Sequence, residues 1–213
     1  MKERLDRGAP RVKTRDRRRF LRRGRNDARP ATFQPSHSLS SERTRIMAIK
    51  TLEDLYIHQL KDLYSACKQS MAVVTEMGRA AKSRELSEAL IAGNQGISRG
   101  METLAQICST HGADPTGEHC RGMEGLVIEA RKHAIEEDFG DEDTQDAAII
   151  TQYQRLTHYA IAGYGCVRTF ANRLGHDGDG AKLQECLDST WEGDKHMTKI
   201  AEGGVNQAAV DGQ

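Results

Sequence analysis

Residues 51–78, TLEDLYIHQLKDLYSACKQSMAVVTEMG, carry the pattern that decides the fold. Leu52, Leu55/Tyr56, Leu60, Leu63/Tyr64, Cys67, Met71, Val74 and Met77 recur at spacings of three and four. That period lines one face of an α-helix. Thr51 suits the N-cap, and Glu53 and Asp54 complement the positive end of the helix dipole. Gly78 weakens the far end. A single apolar stripe through the whole stretch means one long helix with one buried face.

Downstream the pattern repeats. A second helix is expected from Ser83 to His111, with Leu86, Leu90, Gly93/Asn94, Ile97, Met101, Leu104 and Cys108 as its stripe and Gly112 as its stop. Asp114-Pro115-Thr116-Gly117 breaks the chain. A shorter helix, Met123 to about Glu137, lies in a long acidic connection that ends near Asp143. The fourth helix takes Thr144 as its cap and runs through Ile149/Ile150, Tyr153, Leu156/Thr157, Ala160, Tyr164, Val167 and Phe170/Ala171 to Leu174. Gly175 stops it, and residues 176–180, HDGDG, read as a turn. The last helix shows Leu183, Cys186/Leu187, Thr190, Asp194, Met197 and Ile200/Ala201. Alternating β-branched runs are absent, so the fold class is all-α. Short links imply antiparallel neighbours, while a link long enough to span the bundle lets the second and fourth helices run parallel. The expectation is an antiparallel four-helix bundle with one crossover that carries a short extra helix. It occupies residues 47–205, with a flexible C-terminus at 206–213.

Upstream the chain changes character. Formal charge balances overall, yet residues 1–46 hold fifteen Lys/Arg against five Asp/Glu, so +10 on that segment offsets −10 on the rest. This stretch holds three of the four prolines and few aliphatic residues. It cannot bury enough apolar surface to offset a backbone entropy of roughly 1–2 kcal/mol per residue, and it is expected to be disordered. A basic tail of this kind binds nucleic acid by counterion release. Alternatively, Met47 is the natural start and residues 1–46 are a start-site overcall.

The five cysteines, Cys67, Cys108, Cys120, Cys166 and Cys186, are odd in number and lack a CxxC pair. That argues against a disulfide framework and a zinc ribbon, and for a reducing cytoplasm. No signal-peptide core and no run of 18 apolar residues stands in the chain, so no membrane association is expected. GxxxxGK, GxGxxG, GxSxG and HExxH patterns are missing too.

Each long helix carries a polar or small group near the middle of its apolar stripe. These are Cys67, Asn94 with Gln95, Thr157 with Ala160, and Thr190 with Asp194. In di-iron bundles such positions carry one Glu on each of two helices and a Glu-x-x-His pair on each of the others. Here Asp194 is the single obvious inward carboxylate and His158 the nearby imidazole. Cys67, His158 and Asp194 are therefore the residual metal candidates, and a neutral, metal-free core is the reading preferred. Gly93, Gly96 and Gly100 either allow close approach where bulky ligands would stand or mark a distorted helix. Close approach is preferred.

The segments LEDLYIHQLKDLYSACKQ (52–69), CRGMEGLVIEA (120–130), HYAIAGYG (158–165) and LQECLDSTWEGD (183–194) resemble the YciE/YciF family of ferritin-like proteins, over about residues 48–203. The resemblance implies a ferritin-like bundle with one crossover, a homodimer and a bacterial, stress-associated role without a defined catalytic activity. It also implies that Cys67, Gln95, Thr157, Ala160 and Thr190 stand where the family pattern places metal-binding carboxylates, while Asp194 persists. Glu124 is expected to pair or cap, Tyr159 and Tyr164 to pack with a hydrogen-bonded hydroxyl, and His158 to be half exposed. The function expected is a non-catalytic structural or interaction module with a largely lost di-iron site and no cofactor. One alternative is an iron- or manganese-dependent oxidoreductase or peroxide-handling activity at Cys67, His158 and Asp194. Another is DNA association through the basic tail.

Overall fold

The computed structural model describes residues 49–211. The basic stretch 1–46, with the nucleic-acid and start-site expectations attached to it, lies outside them. Among the described residues every regular element is helical.

Helix α1 spans Leu52–Ala80 and opens on a reciprocal cap. Thr51 Oγ1 accepts from Asp54 N–H at 3.0 Å, and Asp54 Oδ2 accepts from Thr51 N–H at 3.0 Å. This capping box satisfies two of the donors that a helix start leaves orphaned. Helix α2 spans Arg84–Thr110 with Ser83 as N-cap, and Gly112 supplies a positive φ of 65° beyond its end. Helix α3, Arg121–Arg131, continues into a π-helical turn at Lys132–Glu136. Helix α4, Glu142–Leu174, ends on Gly175 at φ 81°, a left-handed residue of the type that closes helices. Helix α5 spans Asp177–Ile200.

Three local expectations need correction. Thr144 is not the cap of α4: Asp141 is, accepting from Thr144 N–H at 2.7 Å, so the helix starts earlier with Glu142 and Asp143 in its first turn. The 176–180 turn is instead the N-terminus of α5, because the reversal is already complete at Gly175. Residues 206–211, expected as part of a flexible end, form helix α6 (Asn206–Asp211) after a π-helical turn at Ala201–Val205. Val205, in that turn, is 8% exposed and joins the core.

Helices α1 and α2 form one hairpin and α4 and α5 the other. Helix α1 packs on α4, and α2 packs on α5. Two buried contacts fix the directions. At one end Asp146, near the start of α4, accepts from Lys82 N–H at 2.9 Å and Ser83 N–H at 2.7 Å, in the turn between α1 and α2. At the other end His111, beyond α2, contacts Asp179 at the start of α5, with Nε2 and Oδ2 2.8 Å apart. Helices α2 and α4 therefore start at the same end and run parallel. The connection at residues 111–141 must travel the bundle's length, and α3 lies on α1 and α4 within it. This is the ferritin-like arrangement with one crossover. The core forms two clusters, one near the α1–α2 turn and the α3 side, the other toward the α4–α5 turn. Ile97 touches both.

Candidate functional site

Where the two core clusters meet, the bundle holds a cavity of about 540 Å³ that opens to solvent. Gly93, Gly96 and Gly100 line it from α2; they lie on one face because their spacings are three and four residues. Cys67 reaches it from α1, Thr157 and Ala160 from α4, and Thr190 from α5. Glu185, Glu192, Arg99 and His196 also border it, all exposed, on the side where α2 faces α5.

The glycines admit tyrosines. A Cβ on Gly93 would overlap the Tyr153 hydroxyl, and one on Gly100 the Tyr164 hydroxyl. Helix α2 is continuous through all three glycines, so the close approach is that of phenol rings onto bare backbone, not a distorted helix. Tyr164 Oη lies 3.7 Å from Cys67 Sγ. Burial pushes the Cys67 thiol up to about 12 and raises both Tyr153 and Tyr164. At neutral pH all three groups are thus uncharged. Burial in a dry setting disfavours the thiolate that would act as ligand or nucleophile.

The positions predicted for the centre do not all face it. Asn94 and Gln95 border an outer groove between α1 and α2 instead. Asn94 Nδ2 donates to Met71 O at 3.2 Å and to Thr75 Oγ1 at 2.6 Å. One step along a helix turns the side chain by about 100°, so when Gly93 and Gly96 face inward, Asn94 and Gln95 cannot. Asp194 is 7% exposed, but it is engaged by Gln154 Nε2 at 3.2 Å and His158 Nε2 at 3.2 Å. The His158 side chain is 57% exposed and stands edge-on to Trp191. Cys67, His158 and Asp194 therefore do not assemble: two of them pair near Trp191, and the third faces Tyr164. Glu124 pairs with His119 at 3.2 Å, and the Tyr159 hydroxyl lies 2.9 Å from Cys120 Sγ.

A pair of divalent ions in this cavity would need several carboxylates to offset their charge in a low-dielectric interior. The buried wall offers the Cys67 thiol, the Ser70 and Thr157 hydroxyls, two phenols and two methionine thioethers, and is otherwise aliphatic side chains and glycine backbone. This donor set does not fit a di-metal centre.

One cluster escaped the sequence reading. Glu53, His111 and His176 are the single group of three His, Cys, Asp or Glu side chains among the described residues whose ligand atoms lie within 4.8 Å of one another. In the sequence each marks only a helix boundary: a first-turn acid, a last residue and part of a turn. They are separated by tens of residues, and no spacing motif links them. Only the topology joins them, by placing the starts of α1 and α5 beside the end of α2.

No described helix is long and apolar enough to cross a membrane. Residues 51–210 match the family described as "Domain of unknown function (DUF892)". Over 164 residues the chain is 34% identical to Protein YciF of Escherichia coli (strain K12), covering 76% of this chain and 98% of that protein. Two solved structures superpose on it with TM-scores of 0.68. One, "YcfI, a putative structural protein from Rhodopseudomonas palustris", is 32% identical and matches 72% of this chain and 96% of its own. The other, of "the E.coli stress protein YciF", is 32% identical and matches 74% of this chain and 99% of its own. The chain belongs to the DUF892 family, that of YciF.

Proposed function

We propose that this protein is a stress-associated, non-catalytic structural or interaction module, built on a ferritin-like bundle whose di-metal centre has been neutralised. The observation that carries the reading is the inner wall of the central cavity, where Cys67, Thr157, Ala160, Gly93 and Gly96 provide no carboxylate. The family supports it as well: one relative is described as a "stress protein" and another as "a putative structural protein". The separation of Cys67 from the His158–Asp194 pair counts against a remodelled oxidoreductase site at these three residues. A cytoplasmic setting fits the free state of the cysteines. The homodimer implied by the resemblance belongs to the same reading, with sedimentation equilibrium of the full chain as its measure.

The test is elemental analysis of protein produced in medium supplemented with iron and manganese, alongside a Cys67→Ser variant. The expected result is no iron or manganese in the core and equally slow peroxide consumption by both proteins. Two iron or manganese ions per chain, retained through purification, would refute a neutral centre.

A further inference from the structure

We infer that Glu53, His111 and His176 form a binding site for one divalent transition metal ion of the zinc class, at the end of the bundle opposite the α1–α2 turn. The site is separate from the central cavity, and none of its residues lines that cavity.

The donors come from three chain segments: the first turn of α1, the C-cap of α2 and the N-cap of α5. His176 Nε2 lies 3.1 Å from Glu53 Oε2, and His111 Nδ1 lies 3.4 Å from Glu53 Oε1. Around a tetrahedral ion with bonds of about 2.0–2.2 Å, neighbouring donors stand roughly 3.3–3.5 Å apart. These two contacts run to different oxygens of Glu53, and one donor atom from each residue lies within 4.8 Å of the others, so the three must close slightly to hold an ion. The two imidazole rings are inclined at 67° with centroids 4.7 Å apart, so they are not stacked flat against each other. Two imidazoles and a carboxylate form a borderline N/O donor set, which suits zinc, cobalt or nickel better than calcium or magnesium.

The strongest sign lies one shell further out. His111 Nε2 is 2.8 Å from Asp179 Oδ2, and the same oxygen accepts from the Tyr56 hydroxyl at 3.2 Å. A carboxylate accepts, so Asp179 fixes the hydrogen on Nε2 and leaves Nδ1 to face Glu53 and His176. Metal-ligating histidines are oriented in this way, with the second ring nitrogen held by a carboxylate. The side chains of His111 and Asp179 are 14% and 12% exposed, whereas His176 and Glu53 are 30% and 44% exposed. The inner ligand is thus anchored, and an ion has a path from solvent to a fourth coordination position that water can fill. A bound ion would clip together three segments that lie far apart along the chain.

The experiment is zinc titration of the EDTA-stripped full-length protein by calorimetry, with bound cobalt(II) read by its visible absorption. The expected result is one ion per chain, with a melting temperature raised by roughly 5–10 °C at a hundredfold excess over Kd. His176→Ala and Glu53→Gln should each abolish both signals, while Asp179→Asn should weaken binding about 10- to 100-fold. Glu53→Gln, at a partly exposed side chain of similar size, provides the loss of a ligand with least risk to folding. Metal-free melting and circular dichroism verify that each variant is folded. No zinc uptake by the wild type, or uptake unchanged in folded His176→Ala and Glu53→Gln, would overturn the site.

Discussion

Gly93 and Gly96 lie one turn apart on α2 and border the same cavity, yet alanine should act on them with opposite sign. In a helix interior, Gly→Ala stabilises by about 1 kcal/mol through backbone entropy. At Gly96 a new Cβ meets only Arg99 Nη2, at 3.9 Å, so this gain should be realised almost in full. At Gly93 it would stand 3.1 Å from Tyr153 Cζ and closer still to the hydroxyl, on a ring that is 6% exposed. Forcing a methyl group into such a contact costs about 1–3 kcal/mol, which exceeds the entropic gain. The net is a loss of roughly 1 kcal/mol for Gly93→Ala against a gain of roughly 1 for Gly96→Ala. That separation of about 2 kcal/mol corresponds to roughly 4–8 °C in melting temperature for a domain of this size. Urea unfolding of the full chain, comparing midpoints at unchanged slope, measures it. Adding Tyr153→Phe to Gly93→Ala removes the nearest atom, so the double variant should recover part of the loss. If Gly93→Ala is as stabilising as Gly96→Ala, the ring yields into the adjacent cavity. The argument that bare backbone is needed beneath Tyr153 would then be wrong.

Asp146 is 1% exposed and accepts from two backbone N–H groups of the α1–α2 turn, so Asp146→Ala should cost about 2–4 kcal/mol in chemical unfolding, with Asp146→Asn intermediate. Of the cysteines, Cys166 is exposed while Cys67, Cys108 and Cys120 are buried; a thiol reagent at mildly alkaline pH should therefore label Cys166 quickly and the buried three only on unfolding. Rapid native labelling of Cys67 would contradict the burial that raises its pKa. The carboxyls of Asp54 and Asp141 are held below the ordinary range, the first chiefly by the Lys50 N–H and the second chiefly by the Thr144 hydroxyl. A depressed folded-state pKa adds stability that is present above the unfolded value and lost as pH falls through the folded one. Melting temperature should therefore decline below about pH 4, and Asp54→Asn with Asp141→Asn should flatten that decline; an unchanged slope would show that the caps do not contribute to it.

The sequence by itself determined the long helices and their order. Periodicity and capping are local: the stripe from Leu52 to Met77, the Thr51–Asp54 box and the left-handed Gly175 require no knowledge of the rest of the chain. The length of the 111–141 link then left α2 and α4 parallel. Finer placement did not follow, because a stripe of apolar residues spans a wide arc and leaves its edges undecided. Asn94 looked central, and only the packing of Tyr153 onto Gly93 showed that α2 is rotated so that Asn94 faces the outer groove. Cys67, His158 and Asp194 looked like one set, yet α4 and α5 direct the last two toward Trp191. The Glu53–His111–His176 cluster lies at the other extreme. Each residue is unremarkable in its own segment, and a site arises only because the crossover brings two helix starts and one helix end to the same pole of the bundle. Local physics fixes the elements, while convergence of side chains from distant segments depends on how those elements dock.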